Sequence, residues 1–185
     1  MAAGRRQASR RGRRRSGFAH PGTAERRRPA GWLGGVLAAA TYNRPMPKKR
    51  ILFLCTGNAA RSQMAEGLMR AFHGDVVDVV SAGSRPAGWV HPLAIGALAE
   101  IGIDISDAQS KSAEPFLDQP FDIVVTVCDS AAQDCPTWPG AKRIEHWPIE
   151  DPTFGEGSGA MRFATTRDDL KNRIEELVEM LNVEC

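Results

Sequence analysis

Between Arg50 and Phe72 the chain reads as one continuous unit. An unbroken apolar run, Ile51-Leu-Phe-Leu-Cys55, meets a turn containing Gly57 and Asn58, and apolar residues at helical spacing follow at Met64, Ala65, Leu68, Met69 and Phe72. A strand apolar on both faces must be covered from both sides, which is the condition of a parallel sheet in an α/β protein. The amphipathic helix that follows at once supplies one such cover.

The alternation continues along the chain. Residues Val76 to Val80 read as a second strand, closed by Ser81-Ala82-Gly83, and Pro92 to Ile101 as a helix with Pro near its start and Gly102 just past its end. Phe121 to Val127 reads as a third buried strand and Lys142 to Trp147 as a shorter fourth. Thr166 to Leu181 reads as an amphipathic closing helix, apolar at Leu170, Ile174, Leu177, Val178 and Leu181. Together they predict an α/β fold: a three-layer open sheet of four mostly parallel strands with helices on both faces and right-handed crossovers. In such sheets the ligand site lies at the carboxyl ends of the strands, and Cys55, Cys128 and Asp151 fall there or shortly after.

Charge divides the chain in two. Residues 1–47 hold 11 Arg and one acid, Glu25, whereas residues 48–185 hold 13 basic and 21 acidic side chains. The first part, rich in Arg, Gly, Ala, Ser and Pro and without helical or strand period, cannot bury enough apolar surface to offset chain entropy and is expected to be a disordered extension. A nucleic-acid or membrane-surface tail, a targeting segment, and a stretch preceding a true start at Met46 are all open to it, the last being preferred. Residues 48–185 form the expected folded domain. Being acidic, it cannot attract an anion by its bulk field, so local N–H groups and a placed Arg must do so. No apolar run approaches the roughly 18 residues of a membrane span. Four cysteines, Cys55, Cys128, Cys135 and Cys185, are too few and uneven for a secreted disulfide framework, and a cytoplasmic setting is expected.

The most informative segment is Cys55-Thr56-Gly57-Asn58-Ala59-Ala60-Arg61-Ser62. A turn of this kind before a helix can aim successive N–H groups, from Thr56 to Arg61, at a tetrahedral oxyanion, aided by the helix dipole. Arg61 supplies a planar fork for two of its oxygens. The same positive nest favours the thiolate of Cys55, and Ser62 is placed to donate a hydrogen bond to it. The alternative is a buried Cys ending a strand beside an Arg on a helix surface. The spacing alone would not decide, but its position between buried strand and amphipathic helix favours the anion loop.

Cys128 and Cys135 follow the third strand at a spacing unlike paired zinc ligands. On a helix they would lie roughly 10 Å apart along the axis, whereas a disulfide needs Cα atoms within about 7 Å. If they bridge, the segment must be a loop or must unwind; otherwise both are inert small side chains. Asp151-Pro152 is either an ordinary turn or a general acid within reach of the loop.

The stretch from Ile51 to Leu68 resembles the signature of the low-molecular-weight tyrosine phosphatase and arsenate reductase superfamily, and Gln63 with Ala60 in place of a second loop cysteine resembles its thioredoxin-coupled arsenate reductase branch. Val127-Cys128-Asp and Cys135-Pro136 resemble that branch's resolving pair, and Trp147 to Pro152 its acid loop. The resemblance spans roughly residues 48–182. It implies a phosphatase-like fold and arsenate as substrate. Cys55, Arg61, Ser62, Cys128, Cys135 and Asp151 would be the catalytic residues, a thioredoxin-type protein the reductant, and no metal or organic cofactor would be needed. A monomer is expected, without membrane or nucleic-acid partners. Asn58, Glu66 and Ser81 resemble positions that brace the loop or help bind a potassium ion in one subgroup. Lys111 stands where that subgroup has an acid, which puts a potassium site in doubt. His91 and His146 read as packing or surface residues, and Cys185 has no assigned counterpart. The rival reading is a tyrosine or small-molecule phosphatase using Cys55, Arg61 and Asp151; it needs neither Cys128 nor Cys135.

Overall fold

The computed structural model describes residues 47–134 and 137–183. The expectations placed on the Arg-rich extension, Cys135 and Cys185 therefore lie outside the described residues. Strand β1 (Lys49–Cys55) leads into helix α1 (Arg61–His73), strand β2 (Val77–Gly83) into α2 (Pro92–Ala99), and strand β3 (Phe121–Thr126) into the short α3 (Asp129–Asp134). Strand β4 (Ala141–His146) and the long α4 (Gly159–Val183) complete the order, with a single 3-10 turn at Glu114–Phe116.

The sheet order is β2-β1-β3-β4. Every pairing is parallel, so the four strands expected to be mostly parallel are uniformly so. Side chains alternate across β1. Ile51, Phe53 and Cys55 join Met64, Leu68, Leu98, Leu170 and Ile174 in one core cluster, under α1, α2 and α4. Leu52 and Leu54 join Val124, Ala113 and Trp138 in a second cluster on the opposite face, with Phe116 of the 3-10 turn packed against it. Burial of this kind stabilises at about 25 cal/mol per Å² of apolar surface removed from water.

Two boundaries differ from expectation by more than two residues. Ser81-Ala82-Gly83 does not close β2 but continues it, paired with Phe53, Leu54 and Cys55. Gly83 is required there, because an added Cβ would lie 2.6 Å from Thr56 O and 2.9 Å from Asn58 N. Helix α4 starts well before Thr166, at Gly159, where Ser158 Oγ accepts the Met161 N–H at 3.2 Å as a cap. The segment after Cys128 is helical as far as Asp134, so a Cys128–Cys135 bridge would require it to unwind.

Candidate active site

The turn from Cys55 to Ala60 sits at the carboxyl end of the central strand, and its carbonyls are tied down on the outside. The N–H groups of Ser84, Arg85, Ala87 and His91 donate to the carbonyls of Cys55 (3.2 Å), Thr56 (2.9 Å), Gly57 (2.8 Å) and Ala59 (2.7 Å). Ser110 Oγ adds a second donor to Gly57 O at 3.0 Å. In a trans peptide the C=O and the following N–H point in opposite directions. Fixing those carbonyls outward therefore turns the N–H groups of Thr56, Gly57, Asn58 and Ala60 inward, and the Asn58 N–H does meet Cys55 Sγ at 3.0 Å. Helix α1 begins at this point with Ala60 as its N-cap, no side-chain cap and no acid in its first turn. Its leading donors and the positive end of its dipole are left to an anion.

Asn58 is the hub of the loop. It is fully buried and holds a left-handed φ of 45°. Its Nδ2 donates to Ser62 Oγ (2.9 Å) and Ser81 Oγ (2.8 Å). Its Oδ1 accepts from Gln63 Nε2 (2.9 Å) and from the Lys111 N–H (2.7 Å). Ser62 Oγ lies 2.9 Å from Cys55 Sγ, so the Cys55 sulfur faces one backbone donor and one hydroxyl. Behind the hub, Ser81 donates to the Glu66 carboxylate, which also pairs with Arg70 and, at 3.1 Å, with Lys111 Nζ. Burial pushes the Glu66 carboxyl up, but the Ser81 bond and the Lys111 and Arg70 cations outweigh it and hold the group below its ordinary value. Lys111 thus reaches the carboxylate through its own ammonium. Among the described residues there is no group of three or more His, Cys, Asp or Glu side chains suited to a metal ion.

Arg61 opens α1 and leans toward the loop after β4. Its two terminal nitrogens donate to Ile149 O and to Asp151 Oδ2, both at 2.9 Å. Asp151 Oδ1 accepts from the N–H and hydroxyl of Thr153, at 2.9 and 2.6 Å. Burial raises the Asp151 carboxyl, and the Thr153 bonds with the Arg61 and His91 charges more than offset this, leaving it below the usual range. At rest it is a carboxylate.

Cys128 follows β3, whose register places Thr126 opposite Leu54 of β1. Its Sγ accepts the Ala131 N–H at 3.4 Å and lies 3.5 Å from Thr56 Oγ1, the residue next to Cys55. Both thiols are free and each is 4 % exposed. Of the six residues expected to be catalytic, Cys55, Arg61, Ser62, Cys128 and Asp151 are thus gathered at one end of the sheet, and Cys135 lies outside the described residues. His91 stacks on Phe163 with ring centroids 4.7 Å apart and caps α2. His146 is bonded to Thr126 and Asp129. Sequence reasoning missed the brace from Ser84 to His91, since main-chain bonds carry no residue signature. It also missed Thr153, although an Asp followed two residues later by Thr is a common turn signal.

Residues 50–185 match the family model described as low molecular weight phosphotyrosine protein phosphatase. An arsenate reductase of Halalkalibacterium halodurans is 45% identical over 137 residues, covering 72% of this chain and 98% of the relative. A solved arsenate reductase in a phosphate binding state is 34% identical with a TM-score of 0.60, covering 71% of this chain and 98% of that one. A thioredoxin-dependent arsenate reductase of Corynebacterium glutamicum is 32% identical with a TM-score of 0.60, covering 76% of this chain and 65% of that one. The chain therefore belongs to the low molecular weight phosphotyrosine protein phosphatase family, in its arsenate reductase branch, and is an enzyme of that kind.

Proposed function

We propose that this protein reduces arsenate to arsenite in the cytoplasm, as a monomer, with electrons from a thioredoxin-type protein. The observation that carries the reading is the pairing of two thiols across Thr56. Cys55 lies in the anion loop facing donors from Asn58 and Ser62, and Cys128 sits against the hydroxyl of the residue next to it.

The chemistry runs as follows. Arsenate, tetrahedral and anionic, enters the loop, and Arg61 turns its fork from Asp151 and Ile149 O to two arsenate oxygens. Release from Arg61 lets Asp151 take up a proton and act as the acid. The Cys55 thiolate attacks arsenic, the S–As bond forms, and one oxygen leaves as water with the Asp151 proton. Cys128 thiolate then attacks Cys55 Sγ. The S–As electron pair departs with arsenic, reducing As(V) to As(III), which leaves as arsenite, and a Cys55–Cys128 disulfide remains. Attack by Cys135 on Cys128 frees Cys55 and moves the disulfide to Cys128–Cys135, where an external dithiol reduces it. Cys128 is buried and the segment behind it is helical, so α3 must unwind during these transfers. Residues 1–47 take no part in this scheme, and their deletion is expected to leave turnover intact.

The test supplies arsenate, thioredoxin, thioredoxin reductase and NADPH, and separately an aryl phosphate. The expected result is one arsenite formed per NADPH oxidised, lost in Cys55→Ser, with aryl phosphate turned over slowly if at all. Aryl phosphate hydrolysis without arsenite formation would give the site to a phosphatase.

A further inference from the structure

Asp151 lies on the loop that joins β4 to α4. Between β4 and α4 the segment 147–158 includes Gly155 and Gly157, both at positive φ (112° and 81°), and Phe154, which is 77% exposed. A cleft of about 410 Å³ separates this loop from α4, lined in part by Ile149, Asp151, Phe154, Met161 and Arg162. Trp147 and Ile149 anchor the start of the loop in the core, whereas residues 153–158 beyond the buried Pro152 are exposed, and glycine-rich backbone is costly to hold in one conformation.

Arg162 crosses the gap with hydrogen bonds. Arg162 stands in the first turn of α4, whose start is fixed by the Ser158 cap, with the Arg162 N–H on Ser158 O at 3.1 Å. Side chains in a helix tilt toward its N-terminus, so Arg162 reaches back over the loop. Its Nε donates to Pro152 O at 2.9 Å, and one terminal nitrogen donates to Gly155 O (3.1 Å) and Gly157 O (2.6 Å). The other donates to Thr153 O at 3.5 Å. All three guanidinium nitrogens are thus spent on carbonyls of the acid loop. The loop in turn fits the clamp: a Cβ on Gly155 would lie 3.3 Å from Arg162 Cδ.

We infer that Arg162 is a positioning residue for Asp151, holding the residues that follow it so that its carboxyl faces the anion loop. The inference rests on Asp151 being the acid of the proposed reaction. Arg162 acts through geometry rather than charge, since its donors meet peptide carbonyls and the Asp151 carboxylate is bonded by Thr153 and Arg61. A rigid five-donor fork can hold several carbonyls at once, and a lysine ammonium on its flexible stem cannot reproduce that span.

The test compares full-length wild type, Arg162→Ala, Arg162→Lys, Asp151→Asn and the Arg162→Ala/Asp151→Asn double variant. Single-turnover arsenite formation and steady-state kcat and KM are measured, with Cys55 alkylation as a control for the loop and urea unfolding for the fold. If the chain prefers aryl phosphate, the same five proteins are compared on that substrate, since Asp151 is the acid there too. Arg162→Ala is expected to lower the rate at least tenfold, in line with the roughly 10²-fold that a 1 Å misplacement can cost. KM and Cys55 alkylation should change less than threefold, and Arg162→Lys should fall close to Arg162→Ala. The double variant should match Asp151→Asn alone, as expected for residues acting as one unit. Wild-type rates in folded Arg162→Ala, full rescue by Lys, or a double variant reduced by the product of the two single losses would overturn the clamp. Wild-type rates in Asp151→Asn would instead remove the acid role itself, and the clamp's purpose with it.

Discussion

Replacing Asn58 by alanine tests the loop's interior most severely. The substitution removes four side-chain bonds at once, to Ser62, Ser81, Gln63 and the Lys111 N–H. Three partners keep another contact: Ser62 retains Cys55, Ser81 retains Glu66, and Gln63 retains Gln109 O. The Lys111 N–H loses its acceptor, at about 1–3 kcal/mol if left unsatisfied, and the other three bonds carry about 0.5–1.5 kcal/mol each. Alanine must also adopt the left-handed φ of 45° that asparagine tolerates, adding about 1 kcal/mol. The total, about 3.5–8.5 kcal/mol, is a large part of the 5–15 kcal/mol typical of a domain. Glycine has no penalty at that φ, so Asn58→Gly should be more stable than Asn58→Ala by about 1 kcal/mol. Urea unfolding reads the stability, and the rate of iodoacetamide alkylation at Cys55, followed by peptide mass spectrometry, reads the nucleophile. Alkylation should slow about tenfold or more in both variants, as expected from about 1.4 kcal/mol of lost stabilisation. An alanine variant within 1 kcal/mol of wild type and with normal alkylation would refute the hub role.

Two further expectations concern the charges behind the hub. Glu66 has a carboxyl held below its ordinary 4.5, so its contribution to stability is fully present above that pH and is lost as pH falls through the lower folded value. Glu66→Gln should therefore be less stable than wild type at pH 7, with the gap closing in urea titrations below pH 4.5; a gap constant with pH would contradict this. Lys111→Asp puts a second carboxylate against Glu66 in place of the ammonium. Stability and turnover should fall in sodium buffer and partly recover in potassium, whereas wild type should be indifferent to the exchange. An equal response of the two proteins would count against the ammonium as a built-in cation.

The parts of the site most legible in the sequence are those in which strand, turn and helix adjoin. Cys55 through Ser62 could be read as an anion loop because its backbone donors, its fork and its nucleophile all lie within one turn of the chain. Where geometry depends on distant backbone, residue type gives little sign. Ser81-Ala82-Gly83 has the composition of a turn, yet tertiary pairing with β1 keeps it extended and the close approach of the loop demands the glycine. The start of α4 was missed because Gly159 to Thr165 has only Phe163 as a buried apolar residue, so the helix there is set by its Ser158 cap rather than by periodicity. Arg162 looks like any helix-surface arginine until its loop partners are seen. The strand pairing was legible as a class, since buried apolar runs imply parallel neighbours, but the order β2-β1-β3-β4 is a property of the crossovers.

The relay of three thiols is most directly tested by following arsenite and protein disulfides in wild type, Cys128→Ser and Cys135→Ser, given arsenate with thioredoxin, thioredoxin reductase and NADPH. Wild type should turn over continuously. Cys128→Ser should form no arsenite, since the step that releases it is attack by Cys128, and Cys135→Ser should stop after one arsenite per chain with a Cys55–Cys128 disulfide trapped in its peptides. Sustained thioredoxin-driven turnover by either variant would contradict the three-thiol relay, and sustained turnover by both would leave no role for the Cys128–Cys135 disulfide.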